Sequence, residues 1–265
     1  MDAAIQQKAR KLVSSLSSQC SKINGFGSFS PSVYDTAWVS MVAKQEENGT
    51  KTFLFPEALC YLLETQMSDG SWPAYSATID GILNTLAALL ALKSHGNSDP
   101  SKSSELEDRC QRAETALRSM LNDWDIGLTD RVGFEVLVPG LLRLLEKENI
   151  HMSFDGSAEL IKMSEGKISV LQQIIKRKEQ TTVLHSLEAF VGILNFDEAR
   201  HHKLPNGSML NSPASTAAYL INSSEWDSDA EGYLRMVLDQ YALKGHKGGV
   251  PSAFPTTVFE SSWVS

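Results

Sequence analysis

Side chains that could bind a cation or move a proton are few in this chain. Asp123 and Asp125 lie in the run Asn122-Asp123-Trp124-Asp125-Ile126-Gly127-Leu128-Thr129-Asp130. Hard cations take converging oxygen ligands, and two aspartates one residue apart supply only part of a shell. By pattern they read as helix caps or solvated acids. Asp227-Ser228-Asp229 holds a second pair, which an acidic helix start facing solvent explains. Glu135 follows Phe134 on an apolar helix and reads as a buried acid satisfied by a backbone amide or a neighbouring base. His185, between Leu184 and Leu187, reads as a hydrogen-bonded core histidine. His201 and His202 are adjacent, so they are expected on different sides of a helix and form a poor metal site without a third ligand. Lys176-Arg177-Lys178-Glu179 reads, on spacing alone, as a solvated charge run. Asp35, beside Trp38, reads as an anchor for its own helix. Gly245-x-x-Gly248-Gly249 has no strand before it and no Lys-Ser/Thr helix after it, so it is not a phosphate loop.

The elements that must position these groups are helices. The run Gln66-x-x-Asp69-Gly70-Ser71-Trp72 precedes the small-residue stretch opened by Asp80-Gly81. A weaker echo, Leu204-Pro205-Asn206-Gly207-Ser208-Met209, precedes Ser212-Pro213-Ala214-Ser215-Thr216-Ala217. Both have one layout: a helix, a Gly-Ser turn, a large apolar residue, then a helix rich in small residues. Such a repeat predicts a toroid of helix hairpins. Gly70 can take the left-handed backbone of a tight turn, Asp69 can bind nearby amides, and Trp72 can lie over helix ends with its N–H satisfied.

Periodicity and caps predict helices over about 1–18, 32–44, 56–66, 80–96, 105–121, 134–147, 156–178, 182–194, 212–221 and 230–242. Pro139 predicts a kink in its helix or a start near it. Asn97–Asp108 reads as a surface loop and Glu46–Lys51 as a polar linker. Strand signals are sparse, so no real sheet is expected. The chain has 265 residues, a formal net charge of −8 and no basic stripe, which argues against a nucleic-acid partner. Its longest apolar stretch, 82–92, is too short to span a bilayer. Cys20, Cys60 and Cys110 follow no metal pattern and read as reduced thiols in a cytoplasmic protein.

Six segments in order resemble a known family. They are Tyr34-Asp35-Thr36-Ala37-Trp38, Phe55-Pro56 through Trp72, and Gly133-Phe134-Glu135-Val136 with Pro139. Thr181-Thr182-Val183-Leu184-His185-Ser186-Leu187-Glu188, Asn206-Gly207-Ser208 through Ala217, and Val250-Pro251-Ser252-Ala253-Phe254-Pro255 with Phe259-Glu260 and Trp263 complete them. Together they resemble class II diterpene cyclases of the copalyl diphosphate synthase type, in the manner of the fungal bifunctional enzymes.

The resemblance implies an all-α fold: an α/α-barrel, the terpenoid cyclase toroid of a γ domain, with N-terminal helices belonging to a truncated β domain. Residues 1–49 would lead into β, 50–250 would form γ, and 251–265 would return to β. The helices of residues 1–49 are then expected to lack a partner within this chain. The resemblance also implies a substrate, geranylgeranyl diphosphate, cyclised by alkene protonation to a copalyl-type diphosphate and shared between γ and β. Lys178 matches the position of a diphosphate-contacting lysine, although Gln180 stands where relatives often have proline. Asp123 and Asp125 match the acidic cluster assigned to Mg²⁺ in the family, in a thinner form. The family's Asp-x-Asp-Asp acid belongs to the rest of β and does not occur in these residues, so this chain alone is expected to be inactive. The alternative is a non-catalytic helical toroid that binds a partner or an isoprenoid.

Overall fold

The computed structural model describes residues 3–20, 25–45, 51–98, 103–177, 179 and 181–262. Along them run α1 (Ala3–Cys20), β1 (Pro31–Ser32), α2 (Val33–Ser40), β2 (Ala43–Gln45), β3 (Lys51–Phe53), α3 (Pro56–Thr65) and α4 (Thr78–Ser98). There follow α5 (Ser103–Asn122), α6 (Phe134–Lys147), α7 (Ser157–Ile175), α8 (Pro213–Asn222), α9 (Ser228–Leu243), β4 (Val250–Pro251) and α10 (Thr257–Ser262). Two further segments, Thr182–Phe190 and Phe196–His202, are 3-10 helical. The all-α expectation holds. The strands form only two short antiparallel ladders: β1 with β4, which joins the two ends of the barrel, and β2 with β3, a hairpin between α2 and α3.

Inner and outer helices alternate along the chain. α2 packs on α4, α4 on α6, α6 on 182–190, 182–190 on α8, and α8 on α2, closing an inner ring. Outside it, α3 lies against α2, α5 against α4, α7 against α6, 196–202 against α8, and α9 against α8. This is an α/α toroid of helix hairpins. Seven of the eight residues of α2 are buried. The expectation that the helices of residues 1–49 lack a partner within the chain therefore fails for α2, because its apolar surface is covered on both flanks by ring neighbours. α1 packs near α10 but keeps Ile5 and Leu12 more than half exposed.

The two Gly-Ser turns repeat bond for bond. In the first, Met67 N–H donates to Ser71 O (2.9 Å), and Ser71 N–H and Oγ both donate to Asp69 Oδ1. In the second, Leu204 N–H donates to Ser208 O (2.9 Å), and Ser208 N–H and Oγ donate to Asn206 Oδ1. The next residue closes each hairpin: Trp72 N–H donates to Thr85 Oγ1 on α4, and Met209 N–H to Thr216 Oγ1 on α8. Trp72 Nε1 donates to Leu62 O at the end of α3 (3.0 Å), satisfying a helix-terminal carbonyl. Gly70 (φ +94°) and Gly207 (φ +87°) are left-handed, and each abuts the backbone of a neighbouring helix.

Several boundaries differ from the sequence reading. α2 stops at Ser40 and Ala43–Gln45 is a strand. Most of the supposed loop 97–108 is helical, because Leu106 and Cys110 begin the buried stripe of α5. α6 runs through Pro139 from a left-handed Gly133. The segment 182–190 is not α-helical: Ser186 leaves helical geometry, and Leu187 N–H donates instead to Ser215 Oγ of α8. No described helix is long and apolar enough to cross a membrane.

Where the inner ring meets, two carboxylates are buried. Ser32 Oγ donates to Asp35 Oδ2 (2.6 Å) and accepts from Asp35 N–H, while Asp35 Oδ1 accepts from Ala214 N–H at the start of α8. Glu188 accepts from Tyr34 Oη (3.0 Å) and Ser215 Oγ (2.7 Å). α2, 182–190 and α8 are thereby tied together, so Asp35 anchors its helix as its setting beside Trp38 suggests. Burial pushes both carboxyls up to about 7.

Two outcomes follow from this packing. An acid whose native value lies above its unfolded one keeps its proton longer when folded. Asp35 and Glu188 therefore support folding fully below their ordinary values of 3.8 and 4.5 and lose that support as pH rises through about 7. Shifts of this size correspond to roughly 4 kcal/mol for Asp35 and roughly 3 kcal/mol for Glu188. Urea unfolding of Glu188→Gln at pH 5 and pH 8 should show a smaller loss of stability than the parent chain; parallel pH profiles would contradict the assignment. Secondly, a Cβ on Gly207 would stand 2.2 Å from Asp229 O, whereas one on Gly245, also left-handed, meets nothing within 4 Å. Gly207→Ala should cost about 2 kcal/mol or more and Gly245→Ala about 1 kcal/mol in the same assay. Equal losses would mean that backbone strain alone acts at position 207.

Candidate functional site

α5 ends at Asn122, and the acidic turn that follows is held rigidly. Asp125 Oδ1 accepts from Gly127 N–H (2.9 Å) and Leu128 N–H (3.3 Å), capping a single 3-10 turn at Ile126–Leu128. Trp124 is buried between Phe134 and Phe154, with its Nε1 donating to Thr129 Oγ1 (2.7 Å). Thr129 Oγ1 donates in turn to Asp125 O. The indole is thus the peg, and Asp123 and Asp125 stand exposed on either side of it. Both line two clefts. One, of about 400 Å³, is walled by Ala77, Thr78 and Ile79 at the start of α4; the other, of about 360 Å³, faces Asp155 and Glu159.

The first turn of α6 follows directly. Glu135 is 4% exposed, and its carboxylate accepts from Gly133 N–H (2.9 Å) and from Lys167 Nζ of α7. The sequence expectation of a buried acid met by an amide and a base is borne out on both counts. Lys167 itself is half-exposed. Sequence reasoning missed Lys167. The available signal was that a glutamate on an apolar helix face needs a partner, but that partner lies 32 residues away.

Lys178 lies outside the described residues. The structure leads to its doorstep: His202 Nε2 pairs with Ile175 O (2.7 Å) and His201 Nε2 with Arg177 O (3.0 Å). The two histidines take up the last carbonyls of α7 and the residues after it. Their rings lie 3.9 Å apart, not on opposite sides, because 3-10 winding and two adjacent acceptors draw them together. His185 is exposed and not a core histidine, since the break at Ser186 turns it outward. Asp227 caps α9 and pairs with Lys203 (2.7 Å), which also reaches Asp229, so these acids are structural.

Among the described residues no group of three or more His, Cys, Asp or Glu side chains converges as a metal site. One oxygen of Asp125 is already committed to two amides. The described residues therefore build no closed cation cage. Two exposed carboxylates fit only the open mode in which Mg²⁺ keeps several waters and shares phosphate oxygens with a ligand.

No protein-family model matches the chain. Among curated proteins it is 45% identical over 98% of its length to a copalyl diphosphate synthase of Talaromyces verruculosus, and covers 27% of that protein. It is 47% identical over 91% of its length to a phyllocladan-16-alpha-ol synthase of Phomopsis amygdali, covering 24% of it. It is 42% identical over 98% to an ent-kaur-16-ene synthase of Phaeosphaeria sp., covering 28%. The chain thus spans about a quarter of the length of these relatives. Among solved structures, the ent-copalyl diphosphate synthase of Arabidopsis thaliana, in complex with (S)-15-aza-14,15-dihydrogeranylgeranyl thiolodiphosphate, superposes with a TM-score of 0.71 at 31% identity. That match covers 95% of this chain and 34% of the plant enzyme. Abietadiene synthase from Abies grandis gives the same TM-score at 25% identity, over 96% of this chain and 32% of that enzyme. Along nearly its whole length the chain is homologous to one segment of the fungal copalyl diphosphate and ent-kaurene synthases, and its fold matches one segment of the plant diterpene cyclases.

Proposed function

We propose that this chain is the γ-containing portion of a cyclase that converts geranylgeranyl diphosphate to a copalyl-type diphosphate. The observation that carries the reading is the 45% identity over 98% of the chain to a copalyl diphosphate synthase. The plant structure in complex with a geranylgeranyl thiolodiphosphate compound supports the substrate class. In this reading the γ barrel takes in α2 as its first inner helix together with residues 50–250, and 1–30 and 251–265 run toward a β barrel.

The chemistry needs a carboxylic acid that stays protonated in an apolar site, protonates a terminal alkene and starts ring closure, which ends in proton loss. That acid, in an Asp-x-Asp-Asp sequence, would come from β. The diphosphate is retained throughout, so it has to be held without being ionised. Lys178 and the half-exposed Lys167 are the cations assigned to it, Lys167 being kept in place by Glu135. Asp123 and Asp125 would offer one or two oxygens to a Mg²⁺ that travels with the diphosphate, where the ion neutralises phosphate charge. The rigid turn around Trp124 fixes where those oxygens stand.

Incubated with geranylgeranyl diphosphate and Mg²⁺, the 265-residue chain should form no cyclised product by mass spectrometry. The same chain joined to an Asp-x-Asp-Asp-bearing β barrel of a fungal relative should form one. Turnover by the chain alone would refute the division of labour, and silence of the joined protein would favour the non-catalytic toroid. In the joined protein, Lys178→Ala should raise KM about tenfold or more with an unchanged melting temperature, the effect of losing a charge-assisted hydrogen bond. Unchanged Michaelis parameters would remove Lys178 from the clamp. Asp123→Ala should raise the Mg²⁺ concentration needed for half-maximal rate, with little change in stability. Asp125→Ala should in addition cost about 1 kcal/mol of stability through loss of its cap; equal effects on stability would show that the two acids are not divided this way.

A further inference from the structure

A further cavity among the described residues lies away from the acidic turn. It has a volume of about 550 Å³ and lies between the C-terminal half of α6, the N-terminal half of α7 and the turn 191–193. That size accommodates a small organic molecule. Its walls are apolar, with Leu142, Phe154, Leu160, Ile168 and Ile193 among them. It begins at Pro139, about one helical turn beyond Glu135 on α6, and neither Asp123 nor Asp125 borders it.

Two polar groups in this setting, Ser164 and Arg143, are left short of partners by the fold, and an exposed lysine stands beside them. Ser164, on α7, is 2% exposed, and its hydroxyl has no hydrogen-bond partner among the described residues. A buried hydroxyl without a partner is costly, and such groups in native proteins mark a place where something else binds. Arg143, on α6, is half-buried. Of its five donors one reaches Ala189 O (3.2 Å), and no described carboxylate lies within ion-pair distance. Burial pulls its guanidinium down from its ordinary value, and the nearby Glu146 carboxylate offsets this only in part. Lys147, one turn further along the same face of α6, borders the cavity mouth. Its Nζ lies 3.1 Å from where a Cβ on residue 192 would be, and that residue is Gly192 in a left-handed conformation. Any larger residue there would crowd the ammonium. Glu146 and Glu165 also border the cavity, but both are exposed, where water screens them.

We propose that this cavity is a second binding site, for a small amphipathic anion whose apolar tail lies along α6 and α7 and whose carboxylate or phosphate head is held by Arg143 with Lys147. The planar guanidinium fork suits either head. Ser164 would donate to an oxygen of the ligand or to a water that accompanies it. The tail matches the walls, and the head supplies the acceptors that Arg143 lacks.

Isothermal titration calorimetry on the 265-residue chain tests this with decanoate, decyl phosphate, 1-decanol and inorganic phosphate. Decanoate and decyl phosphate should bind one per chain, with inorganic phosphate and 1-decanol at least about tenfold weaker, since each lacks one half of the recognition. The tighter of the two anions identifies which head the site is built for. Arg143→Met should weaken both anions about tenfold and leave 1-decanol unaffected, while Arg143→Lys should retain part of the affinity. Ser164→Ala, which removes only the hydroxyl, should keep the fold by circular dichroism and lower anion affinity. Binding of 1-decanol as tightly as decanoate, or wild-type affinity in a folded Arg143→Met variant, would overturn the proposal, as would the absence of heat with every ligand.

Discussion

Closing a ring of short helices around a common centre requires that the first and last members fit against each other, and α2 is the piece that does so. It sits between α4 and α8, with seven of its eight residues removed from water. An apolar helix could fill that position, but nothing in apolar packing distinguishes one rotation or register from the next. Hydrogen bonds do. Asp35 reaches the first amides of α8, and Tyr34 and Ser215 converge on Glu188 from the 3-10 segment. Burying two acids with no cation beside them raises the cost of ionising either, yet each is satisfied by donors from a different element. The outcome is a centre that is specific in geometry at some expense in stability at alkaline pH.

From this centre the site residues inherit their positions. α4 and α6 are held side by side in the ring, which places the turn between α5 and α6 over the start of α4 and leaves Asp123 and Asp125 at the edge of two clefts. Outer helix α7 is fixed to α6 by the Glu135–Lys167 pair near one end, while further along the two helices part around the cavity of about 550 Å³. Gly140 lets α6 approach 182–190 closely, a Cβ there standing 3.1 Å from Ala189 O. Small residues thus decide where elements touch, and charged residues decide what is presented at the gaps.

Much of the helical content was legible from periodicity and caps. Pro56 opens α3, Ser212 caps α8, and the buried stripe from Leu106 through Leu121 marks α5. The repeated turn was legible as well, because Asp69 and Asn206 act on their own backbone two residues ahead, a purely local interaction. The 3-10 form of 182–190 was not legible, since Ser215 on another helix takes the Leu187 amide. Nor was the exposure of His185, or the close approach of the His201 and His202 rings, which depends on carbonyls at the end of α7.

The sequence by itself determined the class of fold, the hairpin repeat and the family to which the segments point, because helix spacing, turn chemistry and motif order are properties of neighbouring residues. It also marked Asp123 and Asp125 as helix caps or solvated acids and Glu135 as a buried acid that an amide or a base must satisfy. Only the tertiary structure decided that α2 closes the ring, that Lys167 is the base, and that Arg143 and Ser164 border one cavity. Those relations join residues tens to more than a hundred positions apart, and which distant groups meet is set by how whole helices pack, a quantity that no local pattern contains.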